Sequence, residues 1–358
     1  MTMLHSMADK GRVRAVEWLL ERRADANAVT TDDGATPLYL AAENSHSDVV
    51  GALVIGKAAV DQATTSDGAT ALNAAASHGD VDSAQLLLEH HASANTTTRE
   101  GLTPLWRAAL NGHKDVVQAL IAAAADVNKA RAGDCCTPLF VSAQSGYADV
   151  VTELLRAAAD VHAAKADGGV TPLNVVAFRG HVDILEELLR GRADVNEATN
   201  DGKTPLYVAA ENGHTPVVEA LLAAHPLVNK ATTDDGTPPL YVAAQNGHIG
   251  VVQALLVAES TNVNQATTND GATPLWVAAE SGHLGVVQAL LDKAAEPSRG
   301  LTTDKSTPLF MAAYCGHTGA VRLLLERKAD HKKKCGLFGT ALDGAAGRGH
   351  AKVVALLR

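Results

Sequence analysis

Residues 201–214 read DGKTPLYVAAENGH, and residues 217–222 continue the pattern with VVEALL. The same segment recurs with changes at intervals of 33 to 35 residues along the whole chain. An internal period of this length is typical of stacked repeats, in which each copy packs only on its neighbours. The Thr-Pro-Leu motif or its equivalent marks eleven repeats, which start near residues 2, 36, 70, 103, 137, 171, 204, 238, 273, 307 and 340.

The residues of one copy predict two short helices. Thr204 is a helix N-cap, and Pro205 follows at the first helical position, where its missing N–H costs nothing. Gly213 is suited to the left-handed conformation that ends a helix. The apolar residues of 217–222 then form one stripe of a second helix. The connection to the next copy is polar and ends in Asp-Gly, which indicates a tight turn.

The pattern Thr-Pro-Leu-x-x-Ala-Ala-x-x-Gly-His, followed by Val-Val-x-x-Leu-Leu, Ala-Asp-Val-Asn and Asp-Gly, resembles the ankyrin repeat. The resemblance covers essentially the whole chain. It implies an all-α fold, a curved solenoid of stacked helix–turn–helix repeats with hairpin-like finger loops. We therefore expect a single array over residues 1–358, with a truncated last repeat.

Individual copies depart from this pattern. Ser45 replaces the helix-ending glycine of the second repeat, and Pro238 replaces the capping threonine of the eighth, which removes its hydroxyl. We expect such changes to weaken single repeats without disrupting the array.

Composition limits the classes of partner. The net charge is −10 and the pI is about 5.8, which argues against nucleic acid or an anionic membrane as a partner. The four cysteines form no CxxC pattern, which favours a reducing compartment. No apolar run has the length of a signal peptide core or a membrane span. We expect a soluble, monomeric protein in the cytoplasm, with the nucleus as the alternative.

Histidine is frequent, and eight histidines share the position that follows the helix-ending glycine or its replacement. Equivalent positions in adjacent repeats lie ~10 Å apart, whereas zinc ligands lie ~2 Å from a common ion. These histidines are therefore predicted to be structural, and we expect no metal and no cofactor. They are His46, His113, His181, His214, His248, His283, His317 and His350.

No catalytic pattern is present: the sequence contains no HExxH, no GxSxG and no phosphate-binding loop after a strand. The adjacent pair Cys135 and Cys136 has no basic residue closer than Arg131, so we predict that it is unreactive. The chain is predicted not to be an enzyme.

An aromatic residue often follows Thr-Pro-Leu, where the ankyrin pattern has a histidine implied to tie repeats together by hydrogen bonds. We expect its replacement to exchange these ties for ring burial and for ring contacts between repeats, worth ~0.5–1.5 kcal/mol per pair. The alternative is an exposed platform that stacks sugars or bases. These seven residues, the aromatic rungs, are Tyr39, Trp106, Phe140, Tyr207, Tyr241, Trp276 and Phe310.

Acidic residues are concentrated in the finger loops. Turn chemistry accounts for many of them, and the alternative is an acidic ridge that favours basic partner proteins. They are Asp32, Asp33, Asp67, Glu100, Asp134, Asp201, Asp234, Asp235, Asp270 and Asp304.

The resemblance implies that partners bind the concave face, which is formed by finger tips and the exposed ends of the first helices. At these positions repeats two and seven to nine are nearly identical, whereas repeats four to six, ten and eleven carry apolar, aromatic and arginine residues typical of binding anchors. We expect the centre of a partner site at Leu102, Leu110, Val170, Phe178 and Arg179; the alternative is variation without function. The full set of candidates is Arg99, Glu100, Leu102, Leu110, Val170, Phe178, Arg179, Tyr314, Phe338 and Arg348.

The expected function is a non-enzymatic scaffold or adaptor that binds other proteins. The alternative is a substrate-recruiting or regulatory segment of a larger protein, such as a kinase or ubiquitin ligase. The absence of polar capping repeats at Met1 and Arg358 favours the alternative.

Overall fold

The computed structural model describes residues 1–358, and it contains 22 α-helices, one short 3₁₀-helix and no strand. The helices come in pairs, so the predicted all-α fold of stacked helix–turn–helix repeats is confirmed. The first helix of each pair has seven or eight residues: α1 (Met3–Asp9), α3 (Pro37–Glu43), α5 (Ala71–His78), α7 (Pro104–Asn111), α9 (Pro138–Ser145), α11 (Pro172–Arg179), α13 (Pro205–Glu211), α15 (Pro239–Gln245), α17 (Pro274–Ser281), α19 (Pro308–Tyr314) and α21 (Ala341–Gly347).

The second helix of each pair has nine residues, except in the last pair, where it has seven. These helices are α2 (Val13–Glu21), α4 (Ser47–Ile55), α6 (Val81–Glu89), α8 (Lys114–Ala122), α10 (Ala148–Arg156), α12 (Val182–Arg190), α14 (Thr215–Ala223), α16 (Ile249–Val257), α18 (Leu284–Asp292), α20 (Thr318–Glu326) and α22 (Ala351–Leu357). The 3₁₀-helix spans Gly336–Phe338. None of these helices has the length and apolar character needed to cross a bilayer.

By its internal contacts the chain divides into two compact units. The first unit comprises residues 1–176 and 190–193, and the second comprises residues 177–189 and 194–358. Within each unit, first helices pack on first helices of the adjacent pair and second helices pack on second helices. The leucine of Thr-Pro-Leu is almost fully buried in both units, as Leu105 and Leu275 illustrate. Neighbouring alanines such as Ala209 and Ala210 have no exposed surface, which allows the helices to pack closely.

The capping threonines act as predicted. The hydroxyl of Thr204 accepts a hydrogen bond from the backbone N–H of Tyr207 at 3.2 Å, which satisfies one of the free donors at the start of α13. Pro238 has a similar backbone conformation at the start of α15 but offers no side-chain cap. The predicted loss of a capping hydroxyl in the eighth repeat is therefore confirmed.

The periodic histidines join adjacent repeats. Nε2 of His248 donates to the backbone oxygen of Glu211 at 3.1 Å, since a carbonyl can only accept. The same imidazole faces Gly213, where a Cβ would lie 2.7 Å from Nδ1. Gly213 also has φ +76°, so this glycine both ends α13 and makes room for the ring of the next repeat. Equivalent bonds are made in the two units by His46, His113, His214, His283, His317 and His350.

Ser45 shows why the glycine is needed. It adopts φ +55° and ends α3 in place of glycine. In the following repeat the position that carries the ring elsewhere is Asp80. Ser45 can carry a Cβ here because the following repeat has Asp80, and no aromatic ring, at this position.

A second set of bonds links the finger loops. Oδ1 of Asn196 accepts from the backbone N–H of Leu227 at 2.7 Å, and Oδ1 of Asn229 accepts from that of Asn262 at 2.8 Å. The backbone oxygen of Asp201 accepts from Thr233 N–H at 3.0 Å. Each such bond crosses from one repeat to the next, so the fingers are held at both base and tip.

Gly213→Ala is expected to lower the free energy of unfolding by more than about 1 kcal/mol, because alanine is strained at positive φ and its Cβ would meet the His248 ring. The matched control is Gly347→Ala at the end of α21, where a Cβ would meet nothing within 4 Å. Urea unfolding followed by circular dichroism measures both changes. A loss of stability in the control equal to that in Gly213→Ala would contradict this role of Gly213.

Candidate partner-binding surfaces

The aromatic rungs are largely buried, as predicted, with Trp106 only 5% and Trp276 only 9% exposed. Their indole N–H groups donate to the backbone oxygens of Cys136 and Ser306, each at 3.0 Å. These oxygens belong to the residue just before the capping threonine of the next repeat. The interaction therefore ties a first helix to the base of the following finger.

His5 makes the equivalent tie in the first repeat. Its Nε2 donates to the backbone oxygen of Ala35 at 3.1 Å, while its Nδ1 accepts from Thr2 N–H at 3.2 Å. Tryptophan at this position therefore keeps the polar tie of histidine. For the two tryptophans the expected loss of this polar tie is wrong. The expected burial of the rungs is seen, and the ring of Phe310 also contacts that of Phe338 in the following finger.

Burial of the rungs also argues against the alternative of an exposed platform that stacks sugars or bases. A sugar or base would need an open ring face, and Trp106, Phe140, Tyr207, Trp276 and Phe310 are all buried. Tyr241 is half-buried, and burial together with the carboxylates of Asp270 and Glu280 raises its pKa to about 12.

Trp276→Phe is expected to cost about 1–2 kcal/mol of stability, because it removes one buried hydrogen bond and part of a buried ring. Trp18→Phe is the matched control: Trp18 is 50% exposed and contacts the Arg22 guanidinium at the surface. Urea unfolding of the two variants gives the comparison. Equal stability losses would show that the indole tie contributes nothing beyond ring size.

Several finger carboxylates are occupied within their own turns. Oδ1 of Asp67 accepts from the Thr64 hydroxyl and Oδ1 of Asp235 accepts from that of Thr237, each at 2.6 Å. The Thr237 hydroxyl lowers the pKa of Asp235, as the Thr199 hydroxyl lowers that of Asp201. A carboxyl group whose pKa is lower in the folded than in the unfolded state stabilises the fold at pH values above its unfolded-state pKa. That stabilisation is lost as the pH falls through the folded-state pKa. Turn chemistry thus accounts for these residues without a partner.

The adjacent cysteines differ in environment. Cys136 is buried, and its thiol donates to Oδ2 of Asp134 at 3.1 Å. Burial, followed by the Asp134 carboxylate, raises the pKa of Cys136 to about 12. Cys135 is exposed at φ +58°. Burial therefore disfavours a thiolate at Cys136 at neutral pH, which agrees with the predicted lack of reactivity for this cysteine alone.

Native alkylation should follow this difference. With iodoacetamide at pH 8, we expect label on the exposed Cys135 and Cys315 and none on the buried Cys136 and Cys335. Mass spectrometry of tryptic peptides, with a denatured sample as the fully labelled control, counts the sites. Rapid native labelling of Cys136 would contradict the burial described here.

The candidate residues of the first unit have different environments. Arg99 and Glu100 are exposed at a finger tip, where Nη2 of Arg99 donates to the Thr65 oxygen of the preceding finger at 2.6 Å. Leu110 is 37% exposed at the end of α7, and Val170 is half-buried. Leu102 is 9% exposed and is part of the core, so its side chain offers little surface for contact with a partner.

Phe178 and Arg179 lie side by side at the end of α11, in the second unit. Phe178 is 50% exposed, and the Arg179 guanidinium carbon lies 5.6 Å from its ring centroid. The backbone oxygen of Phe178 accepts a hydrogen bond from Nε2 of His214 at 2.9 Å. The backbone is therefore fixed while both side chains face solvent.

Tyr314, Phe338 and Arg348 come together around the buried ring of Phe310. The Phe310 centroid lies 5.8 Å from that of Tyr314 and 6.2 Å from that of Phe338. The Arg348 guanidinium carbon lies 4.3 Å above the Tyr314 ring, within range of a cation–π interaction. We call Tyr314, Phe338, Arg348 and the adjacent Leu337 the aromatic patch.

Local sequence explains this arrangement. The 3₁₀-helix Gly336–Phe338 replaces the Asp-Gly tip of other fingers, and Gly339 follows it at φ +80°. Gly344 of α21 faces Phe310, where a Cβ would lie 3.0 Å from the ring. The finger consequently presents Leu337, which is fully exposed, and Phe338, which is 58% exposed.

Leu337 was missed by the sequence analysis. It stands three residues before Thr340, at the position that Asp201 occupies before Thr204. This substitution of an apolar for an acidic residue at a finger tip was the available signal. Large apolar side chains left open on a surface often mark contact sites.

The aromatic patch is bordered by positive charge. Arg348, Lys332 and Lys334 are exposed, while Nζ of Lys333 donates to the Ser298 oxygen at 2.7 Å. Residues 332–348 contain these four cations and one carboxylate, Asp343, so the segment carries a net positive formal charge, opposite in sign to that of the chain.

Comparison with known protein families agrees with the repeat pattern. A family model described as ankyrin repeats (3 copies) matches the chain in five overlapping ranges: residues 4–98, 53–131, 91–165, 139–232 and 224–300. The model described as a single ankyrin repeat matches residues 304–334. No curated protein matched the chain at a significant level.

Proposed function

Because this chain belongs to the ankyrin repeat family, whose repeats are generally protein–protein interaction modules, we propose that it is a non-enzymatic scaffold that binds partner proteins. The observation that carries this proposal is the aromatic patch. It combines exposed apolar surface with tyrosine and arginine, the residue types that dominate binding hot spots.

The patch is preorganised for binding. Phe310 is 4% exposed and supports Tyr314 and Phe338 from below, while Arg348 lies over Tyr314. Side chains already held in place lose less conformational entropy when a partner binds. A partner that covers Leu337 and Phe338 would remove apolar surface from water without reorganising the finger.

The local charge suggests the chemistry of the partner segment. The acidic finger residues favour basic partner proteins, whereas Arg348, Lys332 and Lys334 give the aromatic patch a positive border. An apolar segment flanked by aspartate or glutamate would complement both features.

Phe178 and Arg179 form a second, smaller candidate surface. They retain an exposed ring and an exposed guanidinium but have no neighbouring aromatic support of the kind that Phe310 provides. We propose that Phe178 and Arg179 contact a partner independently of the aromatic patch, which separate variants can test.

The proposal is tested by affinity capture of a partner followed by titration of the purified pair. Phe338→Ala and Arg348→Ala should each weaken binding more than tenfold, about 1.4 kcal/mol. Arg322→Ala, an exposed arginine on α20 outside the patch, is the matched control and should change the dissociation constant less than twofold.

Circular dichroism should show that the variants keep the helical content of the wild type. If both patch variants bind as tightly as the control, the aromatic patch is not the anchor. Weakening by Phe178→Ala and Arg179→Ala alone would instead assign binding to the smaller surface.

A further inference from the structure

A groove on the first unit lies between the second helices α2, α4 and α6, away from the finger tips. The groove is open to solvent along its length and has a volume of about 610 Å³. Val13, Ala52 and Leu86 provide half-buried apolar walls, and Ile55 at one end is 79% exposed. An isoleucine this exposed gains little from folding, since most of its side chain stays in water.

Two residues that create the groove depart from the other copies of the repeat. Gly51 lies in the middle of α4, and a Cβ there would meet only Leu86 Cδ1, at an ordinary 3.7 Å. Glycine inside a helix costs about 1 kcal/mol relative to alanine, and nothing in the packing requires it here. The equivalent residues in repeat order are Glu17, Gln85, Gln118, Thr152, Glu186, Glu219, Gln253, Gln288, Arg322 and Ala355.

Ile55 is unusual in the same way. The equivalent positions are mostly charged residues or alanine, as with Glu21 in the first repeat and Glu89 in the third. The second repeat thus combines the loss of a covering side chain at Gly51 with an added apolar side chain at Ile55. Both changes open apolar surface at one place.

The rim of the groove is acidic. Glu17, Asp48, Asp82 and Glu89 line it, are all exposed, and are joined there by no lysine or arginine. Asp48 and Asp82 lie in the first turns of α4 and α6, where the helix dipole favours them. Glu17 and Glu89 lie outside the first turns of α2 and α6, and the four carboxylates together produce a field that favours a cationic ligand.

We propose that this groove binds an amphipathic α-helix of a partner protein, with apolar residues on one face and lysine or arginine beside them. The groove walls are helices whose backbone groups already bond to one another, so an extended segment would find no hydrogen-bonding edge. A helix satisfies its own backbone and presents side chains at helical spacing. Its apolar side chain occupies the space above Gly51, and its cations approach the four carboxylates.

The groove is separate from the aromatic patch, which lies in the other unit. A scaffold with both sites could hold two partners, one with an acidic and one with a basic binding segment. Failure of either site leaves the other unaffected, because the two sites share no residue.

The test uses a fluorescein-labelled 14-residue helical peptide with leucines on one face and lysines on the other. Fluorescence anisotropy should show that the full chain binds it, and that Gly51→Gln weakens binding at least tenfold by restoring the side chain found in other repeats. Ala355→Gln is the matched control at the equivalent position of the last repeat and should bind as the wild type. Glu17→Gln/Glu89→Gln should weaken binding and reduce its dependence on salt.

Three outcomes would overturn the proposal. The first is equal binding by wild type and Gly51→Gln, which would mean that the lysines bind acidic residues elsewhere. The second is equal binding of a peptide with glutamate in place of lysine. The third is self-association in sedimentation that Gly51→Gln abolishes, which would make a second copy of this chain the occupant.

Discussion

The structure depends on hydrogen bonds and contacts that one repeat cannot complete alone. The imidazole of His248 needs the oxygen of Glu211 and the open Cα of Gly213, both in the preceding repeat. The indole of Trp276 needs the oxygen of Ser306, at the base of the following finger. Since a helix of seven to nine residues is marginal in isolation, each pair is stabilised by what its neighbours supply.

Because only certain positions of each repeat make the contacts between neighbours, other positions are free to vary. Leu206 and Leu275, and motif alanines such as Ala209 and Ala210, are buried and serve the stacking of helices. Finger tips and the outward positions of the second helices carry no such constraint. Leu337 at a tip and Gly51 on an outward face are therefore the kinds of change through which one repeat can gain a property that its copies lack.

The sequence predicted the parts of the structure that depend on short-range chemistry. A threonine before a proline predicts a capped helix wherever it occurs, and Thr204 forms the bond expected of it. The structural role of the histidines followed from their spacing alone. In the same way, the loss of the cap at Pro238 could be read from a single residue.

Other features could not be predicted because they depend on residues some 30 positions away. Trp106 keeps a polar tie only because the Cys136 oxygen lies 3.0 Å from its indole nitrogen. Leu102 looked like a surface anchor in the sequence but is part of the core. The groove at Gly51 depends on three helices from three repeats, although the departure of Gly51 from its copies was visible in the sequence.

The central claim is that partners are bound where a repeat differs from its copies. Hydrogen–deuterium exchange of the chain, alone and with a captured partner, tests this claim most directly. We predict protection in the finger at 336–338 and in α21, with little change in the nearly uniform fingers around Asp201, Asp235 and Asp270. Protection confined to those uniform fingers would contradict the account.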